Sequence, residues 1–148
     1  MKSKRNQFEH DIQEIEEGNQ ILLDFSKLKK VASIKEILPV IVQHAITKDV
    51  LMLAYITPEA LKKSIELKKA VFYSTSRNEI WIKGDTSGNY LELKEIRVNC
   101  EQNSLLFLVI PVNNGVCHTF KKNHNEHRET CFYRKIENQN LEFLKEFY

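Results

Sequence analysis

The stretch that decides the fold runs from Asp49 to Tyr73 and reads DVLMLAYITPEALKKSIELKKAVFY. Its first seven residues are almost all apolar, which predicts a buried strand. Thr57-Pro58-Glu59 is typical of a helix start, because it offers a capping hydroxyl, a proline at the first helical position and an acid in the first turn. We expect this helix to bury Leu61 and Ile65 and to end near Lys68-Lys69. The stretch therefore predicts a strand, a helix and a second strand in succession.

Strand-like runs separated by short polar turns occur before this stretch, at its end and after it. They lie at 40–42, 71–73, 80–82, 91–97, 105–110 and 131–136. The polar segment 118–130 is predicted to be an exposed loop, and Leu141, Leu144 and Phe147 are spaced as in a closing helix. Many strands around one central helix predict a single, strand-rich domain of the α+β class.

The N-terminal part differs in character from the rest of the chain. Phe8, Ile12 and Ile15 are spaced by four and three among charged residues, which predicts a short amphipathic helix that ends before Gly18. The segments 21–25 and 31–38 fit a strand or a helix equally well. We therefore interpret residues 1–38 as an N-terminal accessory segment and residues 39–148 as the main domain.

Composition narrows the possible functions. A formal charge of +2 over 148 residues is too small to indicate nucleic acid as a partner, and no apolar run approaches the roughly 18 residues of a membrane helix. The polar start contains no apolar signal core. Because the number of cysteines is odd, at three, we expect a reducing, cytoplasmic environment.

The three cysteines are the residues with the clearest chemical meaning. Cys100 precedes a buried run, Cys117 is followed at once by His118, and Cys131 precedes two aromatic residues. Three thiolates can hold a zinc ion whose fourth position is left to water. Free cysteines also pack as small apolar residues, and no C-x-x-C pair announces a metal. Spacing alone therefore favours packing.

A series of short motifs changes that balance. They are Pro39–Gln43, Val50–Tyr55, Glu59–Leu61, Phe72–Arg77, Trp81–Asn89, Asn99–Glu101, Leu105-Leu106, Cys117–Thr119 and Cys131–Tyr133. In this order they resemble phosphoribosyl-AMP cyclohydrolase, the enzyme of histidine biosynthesis that opens the adenine ring of phosphoribosyl-AMP. The blocks at 81–89, 117–119 and 131–133 are the most specific ones. The resemblance covers about two thirds of the chain.

The resemblance implies a zinc hydrolase that works as an intertwined homodimer on a phosphorylated purine nucleotide. It implies that Cys100, Cys117 and Cys131 bind zinc, and that magnesium binds nearby. Opening the ring between N1 and C6 requires a hydroxide to add at C6, which zinc can supply at neutral pH. Three thiolates weaken the pull of the metal on its water, so a base should assist, and His118 is the natural candidate.

Two polar loops are candidates for the two phosphates of such a substrate. They offer hydroxyls, cations and flexible backbone that suit an anion. The candidate substrate-binding residues are Ser74, Ser76, Arg77, Lys83, Thr86, Ser87 and Gly88. Without the resemblance, each loop would be read as an ordinary turn.

The chain departs from the family pattern at the expected magnesium site. The family carries three alternating aspartates there, whereas this chain has Asn99, Glu101 and Asn103. Carboxylate charge falls from three to one, so magnesium binding is doubtful. His44 also stands where the family usually has an aspartate.

Two alternative functions remain open from the sequence. Cys117, His124, His127 and Cys131 could close around a structural zinc, which would make the chain a non-catalytic zinc module. The chain could also be a divergent hydrolase that acts on another purine nucleotide. The zinc nucleobase deaminases do not fit, because their H-x-E and P-C-x-x-C signature is missing from the sequence.

Overall fold

The structure is a computed structural model that describes residues 4–33, 35–122 and 125–148. The helices are α1 (Lys4–Glu17), α2 (Lys27–Ala32) and α3 (Pro58–Leu67), and a 3-10 turn covers Lys145–Phe147. The strands are β1 (Leu38–His44), β2 (Val50–Ile56), β3 (Val71–Ser74), β4 (Glu79–Ile82), β5 (Leu91–Val98), β6 (Leu105–Pro111), β7 (Arg134–Glu137) and β8 (Asn140–Phe143). None of the described helices is long and apolar enough to cross a membrane.

Six strands form one curled sheet in the order β4-β3-β2-β1-β6-β5. β1 and β6 are parallel, and the other neighbours are antiparallel. Ala70, the residue before β3, is bonded towards both outer strands of this curled sheet. Its amide donates to the carbonyl of Leu91 in β5 at 3.0 Å, and its carbonyl accepts from the amide of Lys83, which follows β4, at 3.1 Å. The core lies on the inner face, around Phe72 and Phe107. The expected strand-rich single domain is confirmed.

Helix α3 begins as predicted but buries a different face. The Thr57 hydroxyl accepts from the Ala60 amide at 3.2 Å and caps the helix. Ala60 and Ser64 are buried, whereas Ile65 is 58% exposed, so the prediction that Ile65 is buried is wrong. The reason is that the Ser64 hydroxyl bonds both the amide and the carbonyl of Val71 at 3.0 Å, which turns this face towards β3.

The predicted closing helix is wrong. β7 and β8 form a hairpin instead, whose turn includes Asn138 at φ +56°. Leu141 and Phe143 are half-buried and alternate with exposed neighbours, as strand periodicity requires. The ring of Phe143 stacks on Tyr133 at 5.9 Å between centroids. A strand was predicted from residue 131, but regular pairing starts only at Arg134.

The described part of segment 118–130 is not simply an exposed loop. It folds back on itself through a bridge between Phe120 and His127. Arg128 is wholly buried: its Nη1 donates to Glu17 at 2.8 Å and its Nε donates to the Phe147 carbonyl at 2.7 Å. A guanidinium can be buried when its charge and donors are paired in this way. The segment therefore joins the two ends of the chain.

The predicted N-terminal helix is confirmed as α1. Its end docks on the segment that follows Cys131, because the Tyr133 hydroxyl donates to the Glu16 carbonyl at 2.8 Å. Arg134 donates to the carbonyls of Ile15 and Gly18. The division of the chain at residue 38 stays a prediction.

Candidate active site

A cleft of about 1040 Å³ opens on one side of the sheet. β2 and β3 are paired at Tyr55 and Tyr73, and both of these residues line the cleft. Residues 52–55 of β2 line one side of the cleft, and the loops 74–77 and 83–87 line the other. Cys117 and Cys131 lie in the same cleft.

The two cysteines lie side by side although they come from different turns. The Cys131 amide donates to the Leu51 carbonyl at 2.8 Å, which ties this residue to β2. A hydrogen bond from the Cys131 thiol, assisted by Thr119 and the nearby His118, lowers the pKa of Cys117 to about 5 despite its burial. The same bond, together with burial, raises the pKa of Cys131, whose thiol is crowded although the residue as a whole is exposed. The two groups are therefore coupled: loss of a proton is favoured at Cys117 and opposed at Cys131.

Lys83 is buried beside this pair. Burial lowers the pKa of its ammonium, and the charges of Cys131 and Cys117 oppose that effect. Its Nζ lies 6.0 Å from the centre of the Trp81 ring. The structure therefore places Lys83 next to the sulfur atoms and apart from the exposed hydroxyls of its own loop, Thr86 and Ser87.

The two predicted substrate loops face the same cleft. The Ser74 hydroxyl lies 3.3 Å from that of Ser76 and accepts from the Arg77 amide at 3.2 Å. Arg77 is exposed and forms a 3.4 Å ion pair with Glu79. In the second loop Gly84 has φ +94°, and a Cβ there would lie 2.4 Å from the Asn89 carbonyl carbon. This glycine is therefore required by the tight turn that places Lys83; Gly88, at φ +79°, is half-buried in the same loop.

His118 lies on the rim of the cleft, with its side chain 76% exposed. Its Nε2 is 2.5 Å from Oε1 of Glu16, at the end of α1. His127 also lines the cleft, but its Nδ1 contacts the Cys117 carbonyl at 2.9 Å and its ring packs on Phe120. The fourth member of the alternative zinc set, His124, lies outside the described residues.

Cys100 is not near the other two cysteines in the same chain. It is exposed on the turn between β5 and β6. Within residues 4–33, 35–122 and 125–148, no three His, Cys, Asp or Glu side chains come together closely enough to hold a metal ion. One chain thus brings together Cys117 and Cys131 but not Cys100.

The proposed magnesium ligands on this turn bond one another. Oδ1 of Asn99 accepts from the amides of Asn103 and Ser104, both at 2.9 Å. The Asn99 amide group donates to the Asn103 side chain at 2.6 Å, and that of Asn103 donates to Glu101 at 3.0 Å. The side-chain oxygen of Asn99 is therefore engaged in closing the turn.

Several residues around the cleft were missed by sequence reasoning. Lys27 of α2 and Lys63 of α3 line the cleft, although neither lies in one of the motifs that carry the family resemblance. Glu16 of the accessory segment lines a smaller neighbouring cavity, where it contacts His118. Outside the lining of the cleft, His44, which stands where the family usually has an aspartate, accepts hydrogen bonds at Nδ1 from the amides of Ile46 and Thr47. Their positions depend on tertiary contacts that no local pattern encodes.

Comparisons with known proteins agree with the motifs. A family model described as phosphoribosyl-AMP cyclohydrolase matches residues 52–133. A phosphoribosyl-AMP cyclohydrolase from Hyphomonas neptunium is 47% identical over 103 residues, which are 70% of this chain and 72% of the relative. A second relative of the same name, from Haloarcula marismortui, is 42% identical over 107 residues, which are 72% of this chain and 82% of the relative. A third, from Burkholderia mallei, is 43% identical over 101 residues, which are 68% of this chain and 69% of the relative.

Proposed function

The chain belongs to the phosphoribosyl-AMP cyclohydrolase family, and we propose that it hydrolyses the bond between N1 and C6 of the adenine ring in phosphoribosyl-AMP, a step of histidine biosynthesis. Water adds at C6, the C6–N1 bond breaks, N1 takes up a proton, and C6 becomes the carbon of a carboxamide. The observation that carries the proposal is the meeting of Cys117, Cys131 and Lys83 in a cleft of nucleotide size.

Cys117 and Cys131 suit zinc as two of its ligands. Zinc binds thiolates, and the lowered pKa of Cys117 favours that form. Cys131 shares its proton with Cys117, so metal binding would release that proton. When bound, zinc would supply an activated water at neutral pH. The positive charge of Lys83 beside the sulfur atoms offsets part of the charge of the thiolates.

Cys100 would come to the site from a second copy of the chain. It is exposed on the β5–β6 turn, and its own chain does not bring it to the other two cysteines. An apolar sheet surface supports such a dimer: Ile41 and Leu53 are paired across β1 and β2 and are 44% and 47% exposed, with Leu106 next to Ile41 on the other side. Exposed apolar side chains grouped in this way are typical of an interface.

His118 is the residue that would move protons. It lies on the rim of the cleft next to Cys117, where its imidazole can take a proton from water and return one to N1. An imidazole suits both steps because its ordinary pKa lies near neutral pH.

Three exposed cations around the cleft match the two phosphates of the substrate. Arg77 is joined by Lys27 and Lys63, and the hydroxyls of Ser74 and Ser76 lie beside Arg77. A guanidinium binds phosphate through two parallel hydrogen bonds, whereas lysines act as point charges. The cations would hold the phosphates and leave the purine to enter the cleft.

The turn with Asn99, Glu101 and Asn103 supports a reaction that depends little on magnesium. Its side chains are bonded to one another, and the set carries one carboxylate. Magnesium loses its water reluctantly and binds through carboxylates, so this turn offers it little.

Assay of the purified, zinc-loaded protein with phosphoribosyl-AMP tests the proposal, with ring opening followed by ultraviolet absorbance. We expect turnover that is lost on chelation and restored by zinc, with little change when magnesium is added. Cys131→Ala should be inactive, whereas Glu9→Gln, an exposed position on α1, should behave as the wild type.

Two outcomes would contradict it. Hydrolysis of AMP or ATP without hydrolysis of phosphoribosyl-AMP would identify a hydrolase with another purine substrate. Tight zinc binding without turnover of any of these nucleotides would identify a non-catalytic zinc module.

A further inference from the structure

The accessory helix α1 contacts the residue that we assign as the acid and base. Glu16 lies outside residues 52–133, which the family model matches, yet its Oε1 is 2.5 Å from Nε2 of His118. The main domain itself supplies no such partner among the hydrogen bonds of the described residues. The contact therefore joins a segment outside the matched region to the rim of the cleft.

The end of α1 is held firmly enough to fix the position of this carboxylate. The backbone carbonyl of Glu16 accepts from the Tyr133 hydroxyl at 2.8 Å, and Arg134 binds the carbonyls on either side, at Ile15 and Gly18. The next residue, Glu17, binds both terminal nitrogens of the buried Arg128 at 2.8 and 3.2 Å. All these partners belong to the segment that leads from His118 past Cys131.

We propose that Glu16 is a positioning residue for His118. A carboxylate at Nε2 accepts a hydrogen bond and so selects the neutral tautomer that carries its proton there. The lone pair is then left on Nδ1, which becomes the atom that accepts a proton in the reaction. The carboxylate also fixes the plane of a ring that is otherwise exposed. This inference rests on the proposed function, because it concerns the base of that reaction.

The Glu16 side chain is not needed to dock the helix. Docking rests on backbone carbonyls and on the pair of Glu17 with Arg128, whereas the Glu16–His118 pair is exposed on the histidine side. Exposed polar pairs of this kind contribute little to stability. Removing the Glu16 carboxylate should therefore leave the fold and zinc content unchanged while it releases the imidazole.

The kinetic test uses the full-length, zinc-loaded protein. Glu16→Ala should lower kcat about 5- to 10-fold with little change in KM, since general acid–base catalysis contributes about 100-fold or more and only the orientation of the ring is lost. Glu16→Gln should recover most of kcat, because its amide oxygen can accept the same hydrogen bond. Glu9→Gln on the same helix is the matched control and should change neither constant.

A second readout separates positioning from the proposed function. The imidazole ¹⁵N shifts of His118, assigned by their loss in His118→Gln, report which nitrogen carries the proton. We expect the Nε2–H tautomer in the wild type and a mixture in Glu16→Ala. An unchanged tautomer in Glu16→Ala would overturn the positioning role, whatever happens to kcat. A wild type without activity would reject the proposed function, while the tautomer would still decide the role of Glu16.

Discussion

Among single residues, Cys100 has the largest consequence for the proposed metal site. Cys117 and Cys131 already meet in the cleft, and the third ligand decides what kind of site they form. With Cys100 the site keeps a position open for water, whereas two histidines would close it as a structural site. His127 is a poor third ligand, because its Nδ1 contacts the Cys117 carbonyl and its ring packs on Phe120.

Cys100→Ser should therefore lower the affinity for zinc by more than roughly tenfold, because it removes a direct ligand and the loss of an outer-shell partner alone commonly costs that much. The double variant His124→Ala/His127→Ala should keep its zinc. Metal analysis after dialysis against a graded series of chelator concentrations measures both. Full retention of zinc by Cys100→Ser would instead place the metal among the loop residues.

What the sequence did not predict is that two of its charged residues, Arg128 and Lys83, are buried. Arg128 and Lys83 stand in polar stretches that look exposed, and nothing local distinguishes them from surface cations. Arg128 is buried because Glu17 and the Phe147 carbonyl, both distant in sequence, satisfy its guanidinium. Lys83 is buried because Gly84 turns the chain inward. Sequence motifs identified the three cysteines, but no motif indicated that Cys100 lies apart from Cys117 and Cys131 within one chain.

At the level of elements, side-chain contacts at the end of α1 connect the N-terminal segment to the C-terminal part of the chain. Glu17 contacts Arg128 and Lys122, and Arg128 in turn reaches the 3-10 turn near the C-terminus. Burial would raise the pKa of Glu17, but the hydrogen bonds and charges of Arg128 and Lys122 outweigh it and hold this pKa below its ordinary value of 4.5.

The lowered pKa of Glu17 determines how the stability that these contacts contribute depends on pH. A carboxyl whose pKa is lower in the folded state adds stability that is complete above 4.5 and is lost as pH falls through the folded value. At pH 7 the wild type should exceed Glu17→Gln by roughly 1 to 3 kcal/mol in the free energy of unfolding, as for a charged hydrogen bond. Urea denaturation of the metal-free, reduced proteins should show this difference shrinking below pH 4.5. A constant difference would mean that charge is not what Glu17 contributes.

The turn between β5 and β6 permits a test of the magnesium argument. The triple variant Asn99→Asp/Glu101→Asp/Asn103→Asp removes two amide donors and places three carboxylates together. Without a divalent cation its Tm should fall, by about 3 °C for each kcal/mol lost. Magnesium should restore that Tm while it leaves the wild-type Tm unchanged, as differential scanning calorimetry can measure. Equal magnesium stabilisation of the wild type would show that the amides suffice.

Strands and helix α3 were predictable because hydrophobic runs and capping residues are local signals. The C-terminal strand β8 was not, since Leu141, Leu144 and Phe147 fit helical spacing as well as a strand followed by a 3-10 turn. The hairpin is decided by the turn at Asn138 and by the packing of Phe143 on Tyr133, which are tertiary features.

For the whole molecule, the separation of the cysteines and the exposed sheet surface support the same arrangement. Ile41 and Leu53 are exposed and Leu106 beside Ile41 is half-buried, so an apolar strip is left partly uncovered. Cys100 stands exposed on the turn that follows β5. A second copy packed on this strip would cover it and could bring its own Cys100 to the cleft. The family resemblance predicted a dimer, but only the fold explains why one chain would not suffice.

Mixing two inactive variants tests this arrangement directly. Cys100→Ser and Cys131→Ser should each lack activity, because each breaks every site in its own homodimer. After the two are unfolded together and refolded in equal amounts with zinc, half of the dimers are hybrids, and each hybrid holds one site with all three cysteines intact and one site that keeps only Cys117. About a quarter of the wild-type activity should therefore return, by the statistics of a two-fold dimer.

A mixture of Cys117→Ser and Cys131→Ser is the matched control and should stay inactive, since both residues come from the same chain. Failure of the first mixture to recover, with dimers present by sedimentation, would show that the site does not draw Cys100 from the second copy.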